Sequence, residues 1–444
     1  MRHLSFLSTG VLVVIALVAP AGAQEFAGRE KLRAHSEEFR KEIIKVTDGV
    51  YVASGYDLAN SIMIEGADGR IIVDTATGAA NARTIKAEFD RISQKPVRAI
   101  IYTHHHADHV GGASVFAGAD RPEIYAHVEL LPENRAENVG RTGRDGGNQF
   151  GSGLPPDLLI NAGIGPQLSG GGGGGYLAPT RTFSGERTTI TVAGVRMDLV
   201  HAPGETDDQI YVWLPEKRVL LPGDNFYRAF PNLYAIRGVP LRRVDWWVES
   251  LDKLIAERAE HLVPSHTRPI SGAAAVNGAL TAYRDGVKSV LDQTLGGMRK
   301  GLRPDELVET VKLPPALADN PYLQEFYGTV EWSVRAIYTY YLGWFDGNAT
   351  NLFPLSLKER SARILDLAGG ESNVLAKARE AFARKDYQWT AELADYILAA
   401  QPGQREARRL KADAFTEMGE RQISANARNF YLSSAQFLLR DDPR

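Results

Sequence analysis

The chain has 444 residues, a formal net charge of −3, 44% hydrophobic and 24% charged residues. That balance fits a globular protein of two or three domains and excludes a disordered chain or a nucleic-acid binder, since no basic stripe dominates. Cysteine is absent, so disulfides and thiolate metal sites are excluded and any metal must be held by His, Asp and Glu.

Met1-Arg2-His3 precedes an apolar run from Leu4 to Pro20, followed by the small residues Ala21-Gly22-Ala23. This predicts a signal peptide over residues 1–23, cleaved after Ala23, and a periplasmic or secreted protein. Ser8, Thr9 and Gly10 break the run, leaving it short of the ~20 residues that span a bilayer. No later segment is long and apolar enough to form a stable membrane span. A cysteine-free mature chain suits an oxidising compartment.

From Lys45 to Tyr102 short β-branched runs at 49–55, 60–66 and 69–76 predict strands. Residues 81–93 have helical spacing, with Ile85, Phe89 and Ile92 on one side, and 96–103 predicts another strand. The regular pattern fails between Leu130 and Thr180, where glycine runs, including 169–175, predict an irregular excursion or a flap over a cleft. Strands resume over 189–205, 209–215 and 218–224. An amphipathic helix follows at 244–258 and a last strand at 261–266. Strands alternating with helices predict an α/β layered core with its chemistry on loops at strand ends. A catalytic domain is expected over 24–300. Residues 301–444 predict an all-α domain of hairpins of the tetratricopeptide kind, with Ala378, Ala381 and Phe382 on one hairpin that ends at Pro402.

The chain has ten histidines, and four fall in the stretch Thr103–Gly112, THHHADHVGG. Residues two apart on an extended chain point the same way. His104 and His106 can therefore grip one metal from one side, and Asp108 and His109 can reach a second. Three later residues follow apolar strands: Glu205 in HAPGETDDQ, Asp224 in VLLPGDN and His266 in HLVPSHTRP.

Thr103–Gly112 matches T-H-x-H-x-D-H-x-G-G, and here the sequence resembles the binuclear hydrolases of the metallo-β-lactamase superfamily. The resemblance implies an αββα sandwich and two Zn²⁺ per chain, although His/carboxylate sets accept other metals. It implies His104 and His106 on the first metal, Asp108, His109 and His266 on the second, and Asp224 bridging both. Glu205 stands in Pro203-Gly204-Glu205-Thr206 where the superfamily has histidine, and takes its place on the first metal. Two Zn²⁺ would then face Asp108, Glu205, Asp224 and a bridging hydroxide, a near-neutral centre with tempered Lewis acidity.

The Glu205 motif, the stretch Gly223–Gly238 with its Asn232-Leu233-Tyr234 and Arg237-Gly238, the aromatic run Tyr338–Asn348 and the helical tail are similar to the alkyl sulfatase branch. That resemblance implies hydrolysis of an alkyl sulfate ester to alcohol and inorganic sulfate, by attack of metal-activated water on carbon, while attack on sulfur would give the same products and the residues do not decide between them. It also implies a homodimer through the helical domain, and a further lipid-carrier-like domain is expected to be missing after Arg444. Arg237 is the natural clamp for the sulfate head, with Asn232 and Tyr234 as neutral donors. Phe226, Tyr227, Phe230, Tyr340, Tyr341, Trp344 and Phe345 are candidates to line a slot for the tail. His105, His127 and His201 adjoin motif residues without occupying ligand positions. Two other readings stay open: a hydrolase of this fold acting on a lactam, lactone or phosphoester, and a helical-repeat binding protein with a residual metal site.

Overall fold

The computed structural model describes residues 26–130, 142–167 and 174–440. The expected leader and residues 168–173 of the glycine run lie outside them.

Seven strands form the first sheet: β1 (Glu42–Thr47), β2 (Val50–Ser54), β3 (Ser61–Glu65), β4 (Arg70–Val73), β5 (Val97–Ile101), β6 (Glu123–His127) and β7 (Arg181–Phe183). β1 to β4 pair antiparallel in chain order, and β5, β6 and β7 add in parallel. The helix Ala79–Ile92 makes the crossover from β4 to β5 and buries Ile85 and Phe89. Six strands form the second sheet: β8 (Arg187–Val192), β9 (Val195–His201), β10 (Ile210–Leu214), β11 (Val219–Leu221), β12 (His261–Leu262) and β13 (Ile270–Ser271).

Alternation along each strand decides the layers. Val52, Ile64, Val73 and Ile101 of the first sheet meet Leu199, Val212 and Leu221 of the second in one buried cluster. The opposite parity, Met63, Ile72 and Ile100, packs against Ile85 and Phe89. On the outer face of the second sheet, Val200, Tyr211 and Trp213 pack under Trp247 and Leu251 of the helix Val244–Ala256 and Tyr283 of the helix Ala273–Arg299. The result is an αββα sandwich followed by a helical region.

Three local expectations change. The run 189–205 is two strands, because Ala193 and Gly194 take φ of +50° and +77° and turn the chain in a tight hairpin. β13 follows β12, so 261–266 does not hold the last strand; two residues at a sheet edge are too short to read as a period. The irregular stretch after Leu130 contains a helix, Thr142–Phe150. Its glycines argue against a helix, and packing overrides them. Asn429 of the helix Ala425–Leu439 donates to the Gln149 carbonyl at 3.3 Å.

The helical region packs in two ways. Leu307, Val330, Val334 and Ile337 share the cluster of Trp247 and Tyr283, so residues up to Leu342 belong physically to the sandwich. Leu365, Leu375, Ala378, Leu393 and Ile397 form a separate cluster among hairpin helices. Ala425 then returns to join Leu58, Ile164, Tyr227 and Phe326. Among the described residues no helix is long and apolar enough to cross a membrane.

Candidate metal centre

Strand ends bring the polar residues together. After β5 the chain delivers Thr103 and His104, and the short helix Ala107–Val110 turns Asp108 and His109 back toward them. Gly111 and Gly112 make this turn possible, since a Cβ on either would run into the main-chain carbonyls of Thr77 or Thr75. Glu205 follows β9, Asp224 lies in the turn Gly223–Asn225 after β11, and His266 follows β12. His104, His109, Asp224 and His266 are each at most 2% exposed, and Glu205 is 3% exposed.

The distances describe one cluster. His104 Nε2 lies 2.9 Å from His106 Nδ1 and 3.8 Å from Asp224 Oδ2. His106 Nδ1 lies 3.6 Å from Glu205 Oε1. His109 Nε2 lies 3.5 Å from both Asp108 Oδ2 and Asp224 Oδ1. His266 Nε2 lies 3.6 Å from Asp108 Oδ2 and 3.1 Å from Asp224 Oδ2. Three overlapping groups could hold a metal ion: His104, His109 and Asp224; Asp108, His109 and His266; and His106, Glu205 and Asp224.

Neighbours orient the rings. Asp74, directly after β4, accepts hydrogen bonds from the Thr103 backbone and hydroxyl at 2.9 Å, from Ser265 at 2.8 Å and from His109 Nδ1 at 2.7 Å. His104 Nδ1 lies 3.1 Å from the Thr103 hydroxyl, and His266 Nδ1 lies 2.9 Å from the Leu58 carbonyl. With Nδ1 engaged in each case, Nε2 of His104, His109 and His266 faces the cluster. Burial opposes charge throughout, yet Asp224, Asp108 and Asp74 raise the His109 pKa well above its ordinary value. Burial likewise opposes a charged Asp224, but His266, His109 and His104 outweigh it and hold that carboxyl well below the usual range. The carboxylates that draw protons onto His109 and His266 against the effect of burial also draw cations. The buried atoms His109 Nε2, Glu205 Oε2 and Asp224 Oδ1 make no hydrogen bond, so the donor set fits divalent metal ions that prefer nitrogen and oxygen.

A cavity of about 260 Å³ opens onto the cluster. His106, Asp108, Glu205, Asp224, Arg237 and Tyr327 form its polar side, and Leu58, Phe150 and Ile164 its apolar side. Arg237 Nη2 reaches to 3.5 Å of His106 Nε2, and the Arg237 backbone N–H donates to Gln149 Oε1 at 3.0 Å.

The family model of the metallo-beta-lactamase superfamily matches residues 55–266, and that of the alkyl sulfatase dimerisation domain matches 303–441. A linear primary-alkylsulfatase of Pseudomonas sp. (strain ATCC 19151) is 41% identical over 85% of this chain and 73% of its own length. The chain belongs to the alkylsulfatase family. An alkyl/aryl-sulfatase of Saccharomyces cerevisiae is 32% identical over 90% of this chain, which spans 64% of that relative's length. The solved stereoselective inverting sec-alkylsulfatase from Pseudomonas sp. superposes with a TM-score of 0.86 at 29% identity, covering 91% of this chain and 66% of that one. Alkylsulfatases act on sulfate esters, and this chain is a hydrolase of that class.

Within this alkylsulfatase-family site, not every residue expected from the sequence faces the cavity. His104, His106, Asp108, His109, Glu205, Asp224 and His266 come together, and Arg237 lines the cavity beside them. Tyr234 instead lines a separate groove of about 280 Å³ with Leu241 and Trp332, away from the cluster. Asn232 is fully buried next to Arg242, and neither atom of its side-chain amide has a hydrogen-bond partner. Phe226 and Phe230 belong to the core beneath the second sheet, and the Tyr227 hydroxyl accepts from the Asn232 backbone at 2.9 Å. Tyr340, Tyr341 and Trp344 lie on the outer surface, 37%, 42% and 74% exposed. Val334, Ile337 and Tyr338 take the inner face of the helix Val330–Leu342, which leaves Tyr340 and Tyr341 outside. His105 pairs with Asp208 at 2.6 Å, and the rings of His127 and His201 stack at 3.8 Å.

Four residues that the sequence reading passed over matter here: Asp74, Gln149, Arg242 and Tyr327. Asp74 left a legible signal, an acid directly after an apolar strand. Gln149 and Tyr327 reach the site through packing between distant segments and left none. Arg242 Nη2 donates to Glu205 Oε1 at 2.9 Å, and its other terminal nitrogen donates to the Asn232 carbonyl.

Proposed function

We propose that this chain hydrolyses alkyl sulfate esters at a two-zinc centre, releasing the alcohol and inorganic sulfate. The observation that carries this reading is the convergence of seven His, Asp and Glu side chains in one cluster, of which His106, Asp108, Glu205 and Asp224 line a cavity that also holds a guanidinium. His104, His106 and Glu205 would hold one metal, Asp108, His109 and His266 the other, and Asp224 both. Two zinc ions, when bound, supply Lewis acidity and a nucleophilic hydroxide near neutral pH.

The chain's own residues do the rest. Arg237 presents a permanently charged, planar donor to the sulfate oxygens. Leu58, Phe150 and Ile164 give the first carbons of the tail an apolar wall. Asp74, Thr103 and the Leu58 carbonyl hold the imidazoles in one orientation. Overall, a water oxygen forms a bond to the ester carbon, and the carbon–oxygen bond to sulfate breaks. Sulfate leaves with the electron pair, and the water proton goes to solvent or sulfate. The solved relative's description as inverting supports attack at carbon.

We also infer export through the N-terminal segment, and a homodimer built on the region that matches the dimerisation family.

Turnover of dodecyl sulfate in ¹⁸O-water, followed by mass spectrometry of both products, tests the reaction. The label is expected in dodecanol. Label in sulfate alone would contradict attack at carbon, and turnover only of a lactam, lactone or phosphodiester would contradict the substrate class. Arg237→Ala is expected to lower kcat/KM about 10- to 100-fold, the range for losing hydrogen bonds to a charged group.

A further inference from the structure

Glu205 places a full negative charge where the superfamily resemblance expects a neutral imidazole. It is 3% exposed and stands in the same cluster as Asp224. A buried carboxylate beside another is costly unless paired. Its partner is Arg242, itself 7% exposed, whose Nη2 donates to Oε1 at 2.9 Å. The second terminal nitrogen of Arg242 is bonded to the Asn232 carbonyl, so the guanidinium plane is fixed at both ends. The other carboxylate oxygen, Glu205 Oε2, is buried and makes no hydrogen bond. Oε1 is thus clamped by Arg242 on the side where it also lies 3.6 Å from His106 Nδ1, and Oε2 carries no hydrogen bond.

We propose that Arg242 is the positioning residue and charge counterweight of Glu205, so that the pair acts as the net-neutral equivalent of a histidine ligand. The proposal rests on the reading of Glu205 as a metal ligand. Asp74 does not enter the pairing, because it sits behind His109 in the other half of the site. Two opposite consequences follow from removing a positive charge a few ångströms from a cation site: cations bind more tightly and anions less tightly. A residue that merely held the fold together would weaken both.

The test uses the purified full chain and four variants: Arg242→Gln, Arg242→Lys, Glu205→His and the double variant Glu205→His/Arg242→Gln. Zn²⁺ affinity is read by competition with a chelating dye, and anion affinity by inhibition with inorganic sulfate. Arg242→Gln is expected to bind Zn²⁺ roughly tenfold more tightly and sulfate roughly tenfold more weakly, whereas Arg242→Lys keeps the charge and stays within about threefold of the parent. Glu205→His alone leaves Arg242 facing a cation without its carboxylate, and is expected to bind Zn²⁺ at least roughly tenfold more weakly; adding Arg242→Gln should restore it. A fall in Zn²⁺ affinity for Arg242→Gln, or no rescue of Glu205→His, overturns the proposal. If Arg242→Gln does not fold, the rescue alone decides. A parent protein that binds no Zn²⁺ would instead overturn the metal reading on which the proposal stands.

Discussion

Asp74 accepts four hydrogen bonds from three residues of the site: two from Thr103, one from His109 and one from Ser265. An amide at this position offers one oxygen in place of two and loses the charge behind His109. Asp74→Asn is therefore expected to weaken Zn²⁺ binding about 10- to 100-fold, the usual effect of removing an outer partner of a ligand. Chelator competition reads this directly. His35 gives a prediction about pH. It is buried, its ring stacks on Phe326 at 3.9 Å, and its Nε2 lies 2.9 Å from the Gly163 carbonyl. Burial lowers its pKa to about 4. The unfolded chain, with an ordinary histidine, binds the proton first as pH falls below about 6.5. Stability from this group is therefore full above that pH and is lost down to about pH 4, with roughly 2 kcal/mol gone between pH 7 and pH 5. Urea unfolding should show His35→Gln losing less stability than the parent over that interval, and equal losses would contradict the assignment. The cluster was legible at this scale because its seven residues, all His, Asp or Glu, follow strand ends in a recognisable spacing. Arg242 was not, because an arginine in a charged loop reads as surface, and its meaning comes from Glu205, 37 residues away.

The helix Thr142–Phe150 connects the helical region to the cavity. Asn429 holds its end, Gln149 accepts from the Arg237 backbone, and Phe150 lines the apolar wall. Gln149→Ala removes one hydrogen bond from the residue that carries the clamp. It is expected to raise KM for dodecyl sulfate by roughly tenfold at most, consistent with the net worth of one such bond, while bound metal stays unchanged. A loss of metal without a change in KM would show that the helix supports the ligands rather than Arg237. The strands of both sheets could be read from their alternation, and the Ile85 and Phe89 helix from its period. The helix at 142 could not, since Gly143, Gly146 and Gly147 remove the local signal and packing from beyond residue 420 supplies it. Tyr340 and Tyr341 failed for a related reason: an aromatic-rich helix does not say which face turns inward.

At the scale of the whole molecule, several large apolar side chains of the helical region are exposed. Trp344 is 74% exposed, Phe353 94%, Leu357 63% and Leu367 89%. Exposed apolar patches of this kind mark association surfaces, and the segment falls within the match to the dimerisation family. The homodimer proposed above predicts that changing Trp344 and Phe353 together to Glu shifts the parent from dimer to monomer in sedimentation velocity, with turnover of dodecyl sulfate unchanged. An unchanged sedimentation coefficient would contradict a dimer through this surface. The change to a helical pattern after residue 300 was readable, but the packing of Leu307, Val334 and Ile337 into the sandwich core was not, because a helical period does not name its partner layer. Above all, the seven side chains are proposed to hold two catalytic metal ions. The most direct test is to strip the purified protein with a chelator, restore Zn²⁺ stepwise, and follow bound metal and sulfate release from dodecyl sulfate together. The stripped protein is expected to show no turnover, and the restored protein a rise that ends when about two ions per chain are bound. Full turnover without metal, or saturation at one ion or fewer, would contradict it.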